Sequence, residues 1–293
     1  SKLIASGQFG PRPTRIWRIT GCEALAVGPG GVRVTALENG RGTVRYAAAV
    51  VVIASGVDSG LAKWAGLGYP TNFLKGAQAE VPARPGEPTT IFIGRGVAPG
   101  AFAWSVPAGD RARVGLLAKR DAKALLERLM EANGLPPGAP IRTKAVAQGL
   151  VARTTGDRVL SVGEAAGQIK TTTGGGITYG LLCADLAAEA VLRSFERSSF
   201  GATALAGYEA GWRKALEKEI VIGHYARRLC ARLSDGQVES LFQLAQTDGI
   251  IPIIRDSADF DWHSGLIFAL LERLSCMKHF RALKDGLARR SLS

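Results

Sequence analysis

The chain has 293 residues, 46% of them apolar, and a formal net charge of +12. That is enough apolar material for a globular core in one large or two moderate domains. The longest unbroken apolar run, Ala47 to Ala54, is far shorter than the roughly 18 residues of a spanning helix, and Cys22, Cys183, Cys230 and Cys276 lack the spacing of a metal site or disulfide framework, so a cytosolic setting fits.

The start, Ser1-Lys2-Leu3-Ile4, has neither an initiator Met nor the charged-then-apolar layout of a signal peptide, as a fragment or processed chain would show. Thr14 to Ile19 alternates, and Val32 to Leu37 follows a Gly28-Pro29-Gly30-Gly31 turn. A second turn, Glu38 to Gly42, leads to Thr43 to Tyr46, so small antiparallel strands are predicted. Ala48 to Ile53 is continuously apolar, the pattern of a strand buried on both faces, and ends in Ala54-Ser55-Gly56-Val57-Asp58-Ser59. Ligands collect at the carboxyl ends of strands in open parallel sheets. The simpler reading is that Asp58 or Ser59 caps the turn of helix around Gly60 to Ala65.

From about Ala62 to Leu150 the pattern is that of a second sheet. Phe73 to Val81, Thr89 to Ile93, Ala101 to Val106 and Arg113 to Leu117 are predicted strands between Pro and Gly clusters. Gly94-Arg95-Gly96-Val97-Ala98-Pro99-Gly100 has the wrong spacing for a dinucleotide-binding GxGxxG and leads into a strand, so it reads as a hairpin turn. Asp121 to Ala132 is the one clear helix, stopped by Pro136-Pro137-Gly138. On a strand Phe102, Trp104 and Val106 share a face. Such a wall suits an apolar substrate chain; ordinary sheet core fits the same residues.

The stretch from Asp157 to Arg193 carries the chemistry. A short strand, Arg158 to Val162, breaks at Gly163 and gives way to a Thr and Gly run before a helix beginning near Gly175. Adjacent glycines at a helix start let a flat or phosphorylated ligand approach exposed N-H groups, and the helix dipole adds positive potential there. Only Asp185, Glu189 and Arg193 make a polar stripe, so the helix is expected to be nearly buried. A Gly-rich loop before a core helix is the plain structural alternative.

Gly163-Glu164-Ala165-Ala166-Gly167, then Lys170, Thr172-Thr173-Gly174-Gly175-Gly176-Ile177 and Tyr179-Gly180-Leu181-Leu182, resembles the second flavin-binding motif of the geranylgeranyl reductase family, FAD enzymes folded like p-hydroxybenzoate hydroxylase. The resemblance implies an α/β (α+β) chain. It would hold a partial FAD-binding domain of glutathione-reductase type (residues 1–61 and 151–199, the N-terminal βαβ unit missing), an antiparallel-sheet substrate domain (62–150) and a C-terminal helical region (200–293). It implies FAD contacts at Gly163, Glu164, Ala165, Gly167, Gly174, Gly175, Gly176 and Ile177, with Glu164 standing where the family usually has an Asp that holds a ribityl hydroxyl. Ala54 to Ser59 resembles the family's Ala-Asp-Gly-x-x-Ser, with Ser55 in place of Asp, which adds Ser55 and Gly56. Phe102 to Pro107 resembles Tyr-x-Trp-x-Phe-Pro, which makes Phe102, Trp104, Val106 and Pro107 substrate contacts.

The implied reaction reduces double bonds of a geranylgeranyl or other prenyl lipid, or of a prenyl diphosphate, by hydride from reduced FAD. NAD(P)H or ferredoxin would be the electron donor, and no catalytic residue is assigned. Two alternatives remain: an FAD monooxygenase of the same fold, and a flavin-deficient binding or remnant protein, which the missing dinucleotide unit favours.

Thr203 to Lys218, Ile220 to Leu233 after a bend near Gly223, Asp235 to Gln246 and Trp262 to Leu274 have helical spacing. His224, His263 and His279 are isolated and read as surface or hydrogen-bonded residues. Lys278, His279, Arg281, Lys284, Arg289 and Arg290 share a predicted amphipathic helix with Phe280, Leu283 and Leu287, suited to an anionic membrane surface. Aromatic and basic residues are not interleaved, so no nucleic acid partner is expected.

Overall fold

The computed structural model describes residues 19–38, 42–57, 60–83, 86–247 and 249–275. The predicted strand from Thr14 to Arg18, the caps at Asp58 and Ser59, and the basic C-terminal helix with Cys276 and His279 lie outside those residues.

Strands β1 (Ile19–Gly28) and β2 (Gly31–Glu38) pair around Pro29 and Gly30 with Gly28 opposite Gly31. Gly31 takes φ 146°, and a Cβ there would stand 2.9 Å from the Ala48 carbonyl oxygen, so this turn requires glycine. β3 (Gly42–Ala48) completes the three-stranded antiparallel sheet. The long apolar run then divides. Ala48 ends β3, and β4 (Val51–Ile53) belongs to another sheet. Val51 and Ile53 join the core formed with Leu25, Val32 and Val34, while Val52 is 41% exposed. The expected strand buried on both faces is thus shorter and one-sided, because apolar composition does not mark the point where a chain changes sheets.

After α1 (Gly60–Trp64) comes a five-stranded antiparallel sheet in the order β6-β7-β8-β5-β9. Its members are β5 (Phe73–Pro82), β6 (Thr90–Phe92), β7 (Ala103–Ala108), β8 (Arg111–Ala118) and β9 (Arg142–Ala147). β6 and β7 pair with Thr90 opposite Ser105, so the Gly94 to Gly100 segment joins two antiparallel neighbours, as its spacing predicts. α2 (Ala122–Ala132) covers one face, packing Leu125, Leu126, Leu129 and Met130 on Ala77, Ala79, Val81, Val114 and Leu116. The small strand residues let the helix approach closely. β9 has no sequence signal strong enough to predict it; pairing with β5, Phe73 opposite Ala147, holds it in the sheet.

β10 (Thr155–Gly156) turns back onto β11 (Val159–Ser161), which runs parallel to β4 with Val159 opposite Val51. A 3-10 turn at Gly163–Ala166 and the Thr-Gly loop lead into α3 (Ile177–Glu196). α4 (Ala202–Cys230) is one unbroken helix, not two joined by a bend. Gly223 serves a close approach instead: a Cβ there would lie 2.8 Å from Thr171 Oγ1 and 3.0 Å from Thr172 Cγ2. α3 packs Tyr179, Cys183, Ala187 and Ala190 on Leu205, Tyr208, Trp212 and Leu216 of α4. Its other face is open, with Ile177 82% and Leu181 64% exposed. The expected near-complete burial does not hold, since a shortage of charge on a helix is not the same as cover.

α5 (Asp235–Thr247), α6 (Ile250–Ser257) and α7 (Ser264–Ser275) follow, α6 being unanticipated. The Glu219 carboxylate of α4 accepts the N-H groups of His263 and Ser264, both at 2.9 Å, which satisfies the amino end of α7 and ties the two helices together. Among the described residues no helix is long and apolar enough to cross a membrane.

Candidate active site

Because β4 and β11 are parallel, both deliver their following loops to one edge, and the Val162 N-H donates to the Ile53 carbonyl at 2.9 Å. The two sequence motifs meet there. Gly56 has φ 71°, and a Cβ on it would come within 3.6 Å of Glu164 Oε2. That oxygen is 2.9 Å from Lys144 Nζ of β9. The Gly163 N-H donates to Gln168 Oε1 at 2.7 Å, Gln168 Nε2 donates to the Tyr208 hydroxyl at 2.8 Å, and Tyr208 donates to the Ser161 carbonyl at 2.6 Å. This buried relay holds the 3-10 turn on α4. Ser55 lies between the end of β4 and Gly56. Ala165 is buried in the core, and Gly167 packs so closely on the Gly149 carbonyl that a Cβ would stand 2.7 Å from its oxygen. These two shape the loop, whereas Glu164 stands beside Gly56.

The three glycines have different neighbours. A Cβ on Gly174 (φ 80°) would touch Leu117 and Val146 of the large sheet at 3.1 and 3.3 Å. One on Gly175 would meet Lys170 Cε at 2.8 Å, so this position makes room for Lys170. One on Gly176 would approach Ile169 and Glu164 Cγ at 3.5 and 3.8 Å. The Gly174 N-H donates to the Lys170 carbonyl and the Lys170 N-H to the Gly175 carbonyl, both at 2.8 Å, which closes the loop. Gly180 N-H to the Gly176 carbonyl is the first helical bond of this end. The N-H groups of Ile177, Thr178 and Tyr179 therefore have no acceptor within α3.

Residues 260–263 clamp the loop from outside. Lys170 Nζ, 7% exposed, donates to Asp261 Oδ1 at 2.8 Å and to the Phe260 carbonyl at 2.9 Å, and lies 4.4 Å from the Phe260 ring centre. The Lys170 hydrogen bond holds the Asp261 carboxyl below the usual carboxylate range. Tyr179 donates to the Asp261 carbonyl at 3.0 Å; burial first, then the charges of Glu219, Asp261 and Asp259, push its hydroxyl upward. Thr172 Oγ1 and His263 Nδ1 are 2.5 Å apart. Sequence reading left His263 isolated and missed this clamp; the dense Phe260-Asp261-Trp262-His263 tetrad was the available signal.

A cavity of about 580 Å³ opens beside this loop. Ile93 and Phe102, each next to the end of a strand, line it from the β6–β7 connection, Thr172 and Thr173 from the glycine loop, and Leu241 and Phe242 from α5. The wall predicted on β7 is divided. Phe102 lines the cavity, and Trp104, its ring centre 5.7 Å away, lies over Gly115 and donates from Nε1 to Gln78 Oε1 at 3.4 Å. Val106 and Pro107 continue along β7 away from the cavity lining, with Val106 36% exposed.

No protein-family model matches the chain. It is 32% identical over 209 residues to the digeranylgeranylglycerophospholipid reductase of Methanocaldococcus jannaschii, an alignment covering 66% of this chain and 53% of that protein. It is also 32% identical over 220 residues to the protein of the same name from Methanothrix thermoacetophila, covering 69% and 55%. The chain thus spans about half the length of the curated relatives it matches. Among solved structures, a geranylgeranyl bacteriochlorophyll reductase-like protein of Thermoplasma acidophilum shares the fold with a TM-score of 0.72 at 21% identity, over 90% of this chain and 68% of that one. The anhydrotetracycline hydroxylase OxyS of Streptomyces rimosus shares it with a TM-score of 0.57 at 19% identity, over 78% and 49%. Over the aligned region the chain is thus similar in sequence to these reductases, and it shares its fold with the geranylgeranyl bacteriochlorophyll reductase-like protein.

Proposed function

We propose that the chain forms the flavin-ring and substrate side of an FAD-dependent oxidoreductase that reduces carbon-carbon double bonds of a geranylgeranyl or other prenyl lipid. One observation carries this reading: Thr172 and Thr173, which lead directly into the glycines before α3, are also part of the wall of the apolar cavity. A cofactor on the glycines and a chain in the cavity would therefore be neighbours.

The residues present fit a flavin. Gly56, Gly163 and Gly174 all have positive φ, Glu164 lies within 4 Å of positions a Cβ would fill on both Gly56 and Gly176, and the first N-H groups of α3 start beside it. Reduced FAD, when bound, supplies the hydride for an isolated double bond. The N-H groups of Ile177 and Thr178, with the dipole of α3, would stabilise negative charge placed against them. Glu164, paired with Lys144, would accept a hydrogen bond from a ribityl hydroxyl. Gly175 acts indirectly, by admitting Lys170 to the clamp that orients the loop. The cavity would hold an apolar chain away from water, with Phe102 against it and Trp104 supporting that wall. Tyr179 is engaged with the Asp261 carbonyl, and water would supply the proton that the second carbon of the reduced bond takes up.

The corresponding division assigns residues 1–61 and 151–199 to the cofactor, 62–150 to the substrate sheet and 200–293 to helices that enclose the chain. The enzyme would work at the membrane surface from the cytoplasmic side, with NAD(P)H or ferredoxin as donor.

The test is anaerobic incubation of the chain, and of an N-terminally extended form, with FAD, a reductant and a geranylgeranyl lipid. Products heavier by two hydrogen atoms for each reduced bond support the reading. In a parallel aerobic assay, oxygen consumption with NAD(P)H and an aromatic substrate supports the monooxygenase, and colourless protein in both forms supports a flavin-deficient binding protein.

A further inference from the structure

Thr172 belongs to both halves of the site. It lines the cavity and stands two residues before Gly174. Its methyl group faces α4, 3.0 Å from where a Cβ on Gly223 would stand. Its hydroxyl meets His263, with Oγ1 2.5 Å from Nδ1, in a partly buried contact. The other ring nitrogen, Nε2, is 3.1 Å from the Phe260 carbonyl oxygen, in a contact exposed to solvent. The imidazole thus bridges the glycine loop and water.

A carbonyl can only accept, so the neutral ring carries its hydrogen on Nε2 and accepts the Thr172 O-H at Nδ1. When the ring gains a second proton, Nδ1 becomes a donor to Oγ1. The hydroxyl, with one hydrogen and two lone pairs, must then turn its hydrogen away from the ring. The segment carrying the ring is fixed: Glu219 accepts the His263 N-H at 2.9 Å, and Asp259 Oδ1 accepts those of Asp261 and Trp262 at 2.7 and 2.9 Å. The other proton-bearing groups of the cavity wall are placed differently. The guanidinium groups of Arg95 and Arg227 keep their protons. Asp235 accepts the Arg95 backbone N-H at 2.6 Å and packs beneath Gly94. Cys230, whose thiol burial pushes upward, lies about two turns past Gly223, roughly 10 Å along α4 from the contact with Thr172. Thr173 Oγ1 lies 3.6 Å from where a Cβ on Gly175 would stand, so it faces its own loop.

We propose that Thr172 and His263 form the route by which a proton from water reaches a double bond held in the cavity, Thr172 touching the substrate and His263 acting through it. This deepens the reductase reading and rests on it. One carbon of the double bond takes hydride, for which reduced flavin is the two-electron reductant. The other carbon takes the Thr172 hydroxyl proton, the Thr172 oxygen takes the proton on His263 Nδ1, and water returns a proton to the ring. The bond gains one hydride and one proton, and the pair ends as it began.

Nitrogen-15 NMR of the full 293-residue chain without flavin reads the pair itself. Thr172→Val should move the His263 Nδ1 resonance and leave Nε2 in place, with circular dichroism unchanged. Anaerobic single turnovers of the flavin-loaded, N-terminally extended form with a geranylgeranyl lipid in deuterium oxide read the transfer. Thr172→Val should slow reduction roughly 100-fold, the lower end of what a positioned acid contributes, with lipid affinity little changed, and Thr172→Ser should keep most of the rate. The wild-type form should place deuterium on one face of the protonated carbon, and Thr172→Val on both. His263→Ala should lose the rate equally and regain it with added imidazole, which a merely structural role would not allow. An unmoved Nδ1 resonance, an undiminished Thr172→Val rate, or a His263→Ala form that imidazole does not restore overturns the relay. So does a Cys230→Ala form that loses rate and deuterium selectivity as fully, which moves the proton to that thiol. A wild-type form that reduces no lipid overturns the reductase reading and the relay with it.

Discussion

On the α2 side of the five-stranded sheet, Ala77, Val81, Ala103, Val114 and Leu116 are at most 2% exposed and meet a continuous row of leucines. On the opposite side the same strands present Gly76, Gln78, Trp104, Gly115, Leu117, Lys144 and Val146, and the edge residues Ile91 and Ile93 are about half exposed. One face is filled by a helix belonging to the chain. The other meets a glycine loop and a cavity. The contrast separates residues that secure the fold from residues that shape a site, even where both sit on adjacent positions of one strand.

The largest expected effect lies on the filled face. Leu126→Ala, at a fully buried position, should destabilise the chain by about 2–5 kcal/mol, read from urea unfolding by circular dichroism. Cavity ligand affinity should be unchanged where the variant is folded; a lost ligand would blur the distinction between the faces. Next is Gly115→Val on the site face. A Cβ there would come within 2.6 Å of the Trp104 indole and 2.8 Å of the Ala77 carbonyl, so the indole must move. A cost of about 1–3 kcal/mol with a shift in tryptophan emission is expected, and an unmoved spectrum would show that this face is less tightly packed than it looks.

Glu164→Ala sharpens the contrast from the other direction. Its partner Lys144 is 63% exposed at the side chain, so the lost pair should change stability by less than about 1 kcal/mol. Flavin retention, followed by visible absorbance after gel filtration, should fall about tenfold, the scale of a hydrogen bond to a charged group. Smallest is an acid effect on the clamp. Because Lys170 holds Asp261 below its ordinary value, the contribution of that pair is complete above about pH 4 and is lost as pH falls through the depressed value. Emission from Trp262, whose ring lies tilted against that of Tyr179, should change in that acid range, and Asp261→Asn should abolish the change.

The sequence disclosed the parts of the molecule with a local cause. The Gly28 to Gly31 turn, the strands beside it, α2 and the glycine start of α3 follow from periodicity and backbone freedom within a few residues. What stayed hidden depends on partners distant in the chain. β9 is a strand because β5 lies beside it, and Gly223 is small because Thr171 and Thr172 approach it from fifty residues away. The reading of the glycines was right about where the loop sits and incomplete about why each is glycine, since two of the three spare space for the protein's own side chains. The clamp of residues 260–263 on Lys170 was invisible for the same reason.

The unbroken run of α4 has a mechanical corollary. A 29-residue rod with no proline or bulge is held to β10 through Glu209, to the Thr-Gly loop at Gly223 and to α7 through Glu219. With about 1.5 Å of rise per residue it sets these anchor points along one stiff axis and offers no joint between them. The far wall of the cavity is built differently: Val238, Leu241 and Phe242 of α5 and Ile267 of α7 line it from helices less than half the length of the rod.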